Sequence, residues 1–276
     1  MPECYADNDD PDGLFLRRFP TAYLLMSQTI AVLTGASRGL GAALARGLLT
    51  SGTHLVTLAR RTDDDLAAQA SAQGVTLEQI AVDLADTQAT AQVAERIFAT
   101  LTRNADRYLL INNAGTVNPV ANSAALTDPA AIGAAFALNV TSVMLLTARF
   151  LTATQGLTAK RQIVNISSGA GRQPNAGWAV YCSTKAALDM YTRVVNTEHR
   201  EHGVQAVSLA PGVVDTGMQE TIRSSSVESF PALARFQDLK ASGKLSSPED
   251  VARRILALTE RDDFGQTEID DIRNYA

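Results

Sequence analysis

From residue 29 almost to the C-terminus, short apolar runs alternate with longer stretches in which apolar residues recur at helical spacing. Thr29-Ile30-Ala31-Val32-Leu33 is a continuous run of the kind that a parallel sheet buries on both faces. Further runs at 54–59, 78–82, 108–111, 162–166 and 204–209 read as strands, and 266–272 as a last one. Between them the spacing predicts helices over 41–49, 63–73, 87–101, 128–154, 178–202 and 248–259. The last of these opens on Ser247-Pro248-Glu249-Asp250, a serine cap followed by proline at the first helical position and acids in the first turn. Such alternation predicts an α/β fold, a doubly wound parallel sheet of about seven strands with helices on both faces. No composition break divides 28–276, so one domain is expected there.

Composition narrows the function classes. Of the 276 residues, 46% are hydrophobic and 19% charged, with a net charge of -5 and no basic run. That balance argues against a nucleic-acid partner. No uninterrupted apolar run approaches the roughly 18 residues that a membrane span needs, so no membrane partner is expected. The two cysteines, Cys4 and Cys182, do not make a disulfide framework, which fits a reducing, cytoplasmic setting. His54, His199 and His202 have no metal-ligand spacing, and no metal is expected; His199 and His202 read as the exposed end of a helix. Residues 1–27 begin with the acidic Asp7-Asn8-Asp9-Asp10-Pro11-Asp12 and lack the layout of a secretory signal. They read as a disordered extension, or as lying upstream of a working initiator at Met26, in preference to a functional arm.

The turn after the first strand is Thr34-Gly35-Ala36-Ser37-Arg38-Gly39-Leu40-Gly41. Its glycines, spaced G-x-x-x-G-x-G, permit a tight turn and close backbone approach to a pyrophosphate at a helix N-terminus. On an alternating chain this makes the fold Rossmann-type and the ligand a dinucleotide. A carboxylate at the end of the second strand would hold a bare ribose diol, but Ala59-Arg60-Arg61 stands there, and Arg38 lies inside the glycine turn. Guanidinium forks suit a phosphate, so the expected cofactor is NADPH/NADP+.

Tyr181-Cys182-Ser183-Thr184-Lys185 places a phenol and an ammonium one helical turn apart, with Ser168 thirteen residues before the tyrosine. A phenol titrates near pH 10. A nearby ammonium is expected to draw it down, giving a group that exchanges a proton with an alcohol or ketone oxygen. Ser167 competes with Ser168, and strand alternation turns it to the other side.

Together these pieces resemble the short-chain dehydrogenase/reductase family over about 29–259. Asp83-Leu84, Asn112-Asn113-Ala114-Gly115, Asn139 and Pro211-Gly212-Val213-Val214-Asp215-Thr216 match its motifs in order. The resemblance implies hydride transfer to a carbonyl carbon. Tyr181 would donate the proton, Ser168 would steady the oxygen, and Lys185 would hold the cofactor ribose. Asn139 would fix a water near that lysine. It further implies cofactor contacts from Gly35, Ser37, Arg38, Gly39, Leu40 and Gly41, and from Arg60 and the Asp83-Leu84 pair. Asn113, Ala114 and Gly115 would follow, with Pro211, Gly212, Val214 and Thr216 at the nicotinamide. Ile111 to Val117, Asn165 to Gly171 and Gly177-Trp178-Ala179-Val180-Tyr181-Cys182 look like the sepiapterin reductase-like branch and its benzil reductases, which reduce one carbonyl of a 1,2-diketone. Trp178 and Met218 are the expected substrate contacts, and 215–244 the expected helical lid. Asp270 lies close to a substrate-anchoring aspartate of that branch, although a surface carboxylate is the reading adopted for it. The partners implied are a small-molecule carbonyl substrate and a second copy of the chain, in a homodimer or homotetramer. Two other readings stay open: a secondary-alcohol dehydrogenase, and a non-catalytic NADP-binding sensor.

Overall fold

A computed structural model of the chain describes residues 28–275; the expectations for 1–27, Cys4 included, lie outside them. Among the described residues seven strands pair in one all-parallel sheet, ordered β3-β2-β1-β4-β5-β6-β7, whose central members are buried apolar runs and whose edges, β3 and β7, are more polar. They are β1 (Thr29–Thr34), β2 (Thr53–Ala59), β3 (Thr76–Ala81), β4 (Arg107–Asn112), β5 (Lys160–Ile166), β6 (Val204–Ala210) and β7 (Ile269–Asp271). The helices are α1 (Gly39–Gly47), α2 (Asp64–Ala72), α3 (Thr87–Ala99), α4 (Pro129–Phe136), α5 (Ser142–Thr154), α6 (Ala179–His199), α7 (Gly217–Arg223), α8 (Leu233–Ala241) and α9 (Pro248–Glu260). The strand order reverses direction between β1 and β4, which opens a crevice at the carboxyl ends of the strands.

Strand alternation splits the core in two. Ala31 and Leu33 of β1 face α1, α2 and α9, where Leu44, Leu66 and Ile255 are buried. Ile30 and Val32 face the other way, toward Phe98 of α3, Phe150 of α5 and Val195 of α6. Phe98 and Phe150 meet edge to face at 6.0 Å. Each such side chain contributes roughly 1.5–3 kcal/mol on burial. Helix starts follow local chemistry: Asp63 and Asp86 accept backbone N–H bonds at the starts of α2 and α3, and Ser247 accepts from Asp250 N at α9.

Three expectations need correction. The helix expected over 128–154 is interrupted by a π turn, Ala137–Thr141. The combined stretch Pro129–Thr154 is also long and apolar enough to cross a membrane by length and composition. Scattered Thr, Ser and Asn residues hide this from a search for an uninterrupted run, and here one side of the stretch packs on the sheet, where Leu146 and Phe150 are buried. Finally, β7 is three residues long rather than 266–272, because the chain is still turning through Gly265.

Candidate active site

At the end of β1 the backbone turns through Gly35, at φ +72°, and re-enters as α1. A Cβ on Gly41 would lie 2.0 Å from the Gly35 carbonyl oxygen and 2.5 Å from Asn113 Nδ2, so only hydrogen fits there. Helix α1 begins without a side-chain cap and without an acid in its first turn. Its free N–H groups and positive dipole end face the crevice, the arrangement that receives a phosphate. Thr34 locks the neighbouring loop in place: its hydroxyl oxygen accepts from Asn113 N and Ala114 N, both at 2.9 Å. Asn113 Nδ2 returns a bond to Thr34 O at 3.0 Å. Across the crevice, the Thr216 methyl stands 3.0 Å from where a Cβ on Gly39 would be. Arg38, Arg60 and Asp83 lie exposed at its rim, with Leu84 buried beside it. Among the described residues, Arg38, Arg60 and Arg61 make no ion pair. Glycine cradle, uncapped helix and free guanidinium groups fit a phosphorylated dinucleotide.

Tyr181 and Lys185 lie one turn apart on α6, both buried, and Ser168 follows β5. The Ser168 hydroxyl lies beside the Tyr181 phenol and accepts from Ala170 N at 3.2 Å. Ser167 points away from the phenol, as strand alternation expects, and donates to Asp189 Oδ1 at 2.7 Å. Asn139 sits in the π turn, a wide helical turn that often marks functional positions. Its side chain donates to Thr116 O at 2.8 Å and Thr184 Oγ1 at 3.0 Å, and accepts from Thr116 N at 2.8 Å. It therefore staples the loop after β4 to α6.

The expectation that Lys185 draws the phenol down needs correction. Burial pushes Tyr181 up to about 12, opposed by the Ser168 hydroxyl beside it. Lys185 Nζ is 5.6 Å from the ring centroid and donates to Ile166 O at 2.7 Å. Burial also lowers Lys185 to about 8, with Asp189 acting in the opposite direction. In this closed arrangement desolvation outweighs the neighbouring ammonium, and the phenol keeps its proton.

Over Tyr181 lies an aromatic cap. Trp178 meets the Tyr181 ring edge-on at 5.5 Å, stacks on Phe230 at 4.7 Å and contacts Phe236 at 5.4 Å. Phe230 and Phe236 come from 215–244, which leaves and rejoins the sheet through the Val214–Ser246 bridge. A Lys240–Asp215 ion pair of 2.6 Å closes its base. Met218 packs partly buried against this cluster. The Trp178 indole Nε1 is buried without a hydrogen-bond partner.

Asp270 is not a surface carboxylate. It is 4% exposed and accepts from the Tyr275 hydroxyl, Asn274 Nδ2 and Asp271 N. Pairing of β7 with β6 carries it inward, and the chain then folds back over it. Its acceptor sites are used within the C-terminal turn. Sequence reasoning missed Thr34, Thr116, Thr184 and Asp189 as organisers of the site. Thr34 and Thr184 lie inside recognised motifs, but nothing in their spacing assigns them partners.

Residues 29–226 match the short chain dehydrogenase family. The chain is 38% identical over 241 residues to benzil reductase ((S)-benzoin forming) of Bacillus cereus, covering 86% of this chain and 96% of that protein. It is 39% identical over 251 residues to the sepiapterin reductase of Meriones unguiculatus, covering 85% and 92%. A metagenomic short-chain oxidoreductase solved in complex with NADP superposes with a TM-score of 0.67 at 28% identity, over 89% of this chain and 95% of that one. Fold and likeness together make the protein an oxidoreductase acting on carbonyl or CH–OH groups. It belongs to the short-chain dehydrogenase/reductase family.

Proposed function

We propose that the protein is an NADPH-dependent carbonyl reductase acting on a 1,2-dicarbonyl compound. The observation that carries this reading is Tyr181 with Ser168 beside it and Lys185 one turn away, under an apolar aromatic cap at the mouth of the glycine cradle. The glycine turn, Asn113 to Gly115 and Thr216 would hold the cofactor, with Arg38 and Arg60 on its phosphate. When bound, a nicotinamide cofactor supplies the hydride. Tyr181 gives its proton to the substrate oxygen as negative charge develops there, and Ser168 donates a hydrogen bond to the same oxygen. Lys185 then returns a proton to the phenol and recovers its own from solvent, through a water that Asn139 would fix. The names of the benzil and sepiapterin reductase relatives support a substrate with two neighbouring oxygens. So does Trp178, whose buried indole N–H lacks a partner beside Tyr181 and can donate to the second oxygen.

The test is consumption of NADPH with benzil, isatin, sepiapterin and simple aldehydes. Benzil is expected to turn over best. Trp178→Phe keeps the packing and removes the N–H, so kcat/KM on benzil should fall about tenfold, the worth of one buried hydrogen bond, with aldehydes unaffected. Binding of NADPH with no carbonyl turned over would instead identify a dinucleotide sensor.

We also assign self-association to the outward faces of α4, α5 and α6. Phe136, Met144, Met190 and Val194 are 37%, 39%, 58% and 42% exposed there, and Met190 and Val194 are one turn apart. Light scattering should give a dimer or tetramer mass; a monomer would remove the assignment.

A further inference from the structure

A buried acid beneath the catalytic pair takes no part in the proton transfers proposed above. Asp189, one turn beyond Lys185 on α6, is 8% exposed. Its Oδ1 accepts from Ser167 Oγ at 2.7 Å and from Ser208 Oγ at 2.6 Å, and its Oδ2 accepts from Arg172 Nε at 3.1 Å. Arg172 Nη2 also donates to Ser208 O at 3.3 Å. The donors come from the end of β5, from β6 and from the loop between β5 and α6. Ser167 immediately precedes Ser168, and Arg172 ends the single 3-10 turn, Gly169–Gly171, that starts at Ser168. One carboxylate therefore fastens the Ser168 loop from both sides, and it stands on the helix that bears Tyr181 and Lys185. The loop also lies directly on that helix: a Cβ on Gly171 would be 2.8 Å from the Lys185 carbonyl carbon.

Burying a carboxylate with its partners costs several kcal/mol of desolvation, and well-packed apolar groups would close the same space at least as stably. Tight packing alone does not account for the choice. We propose that Asp189 is a positioning residue for the catalytic set: it sets the Ser168 hydroxyl against Tyr181 and keeps a negative charge near Lys185. The proposal rests on the reductase reading of Ser168, Tyr181 and Lys185.

The surroundings of Lys185 make the charge matter. On α6 it has Tyr181 and Asp189, and Arg172 of the β5–α6 loop pairs with the Asp189 carboxylate. From β5 it meets the Ile166 carbonyl, and from the loop after β4 and the π turn only the neutral Gly115 and Asn139. Asp189 is the acid that opposes the effect of burial on this lysine. Without that charge Lys185 loses its proton at lower pH, so the alkaline limb of kcat moves to lower pH.

The test compares Asp189→Asn with the parent by thermal melting, NADPH fluorescence titration and the pH profile of ketone reduction. The expected result is a folded enzyme that binds NADPH like the parent, with kcat down about tenfold and the alkaline limb shifted to lower pH. A folded variant with unchanged kcat and pH profile overturns the proposal, as does one whose only change is a lower melting temperature. If Asp189→Asn does not fold, Ser208→Ala replaces it. That variant keeps the charge and removes one bond to it, so kcat should fall several-fold with the pH limb fixed, and an unchanged kcat overturns the proposal. The parent separates the two readings. A parent that reduces no carbonyl removes the reductase assignment itself, whereas an active parent matched by its variant removes only the role of Asp189.

Discussion

Tyr181→Phe is expected to lower kcat for ketone reduction by about a thousandfold, the scale of a lost general acid, with NADPH affinity unchanged. Phenylalanine fills the same space against Trp178, which meets the ring edge-on, so the aromatic cap and the fold should persist. The change removes a hydroxyl that lies beside Ser168. Ser168 remains to hydrogen-bond the substrate oxygen, and no other proton donor replaces the phenol. Stopped-flow reduction and fluorescence titration on the same preparation separate the two effects. A phenylalanine variant that still turns over the ketone would sink the proton-donor assignment.

Changing Arg38 and Arg60 together to alanine is expected to cost at least about a hundredfold in kcat/KM with NADPH. Each guanidinium–phosphate contact is worth roughly 1.5–3 kcal/mol. Kinetics with NADH should barely move. The prediction follows from two exposed guanidinium groups at the crevice rim that pair with no acid among the described residues. They are left for a ligand anion, and high salt should weaken the effect because both lie in water. A parent enzyme as fast with NADH as with NADPH would overturn the assignment.

Much of this architecture is legible in the sequence because its signals are local. A strand buried on both faces must be apolar throughout, and β1, β4, β5 and β6 are visible for that reason. The edge strand β3 has one exposed flank, and its expected position at 78–82 falls two residues late, against Thr76–Ala81. Glycine turns and a tyrosine–lysine pair at one-turn spacing are local too. What stayed hidden is nonlocal. Thr34 and Asn113 are 79 residues apart in the chain, and no periodicity links them. Asp189 reads as one more polar residue on a helix until β5 and β6 bring serines to it. The phenol was expected to titrate low because the sequence shows its ammonium neighbour, whereas the burial that wins is a property of the assembled cap. Asp270 reads as a surface group on similar grounds, since acids are rarely buried unless paired, and its partners lie in the turn that folds back over it.

The π turn at Ala137–Thr141 has a consequence for how this helix tolerates change. Each residue advances an α-helix by about 100°, and the wide turn inserts one extra residue, so the angular phases of α4 and α5 are offset by about that amount. Asn139 is thereby aimed at Thr116 and Thr184 while Leu146 and Phe150, farther along, still point at the sheet. Remove one residue between Asn139 and Leu146, and the helix must choose which of these two sets of contacts to keep. The length of that segment is thus constrained to the single residue, independently of which side chains it carries.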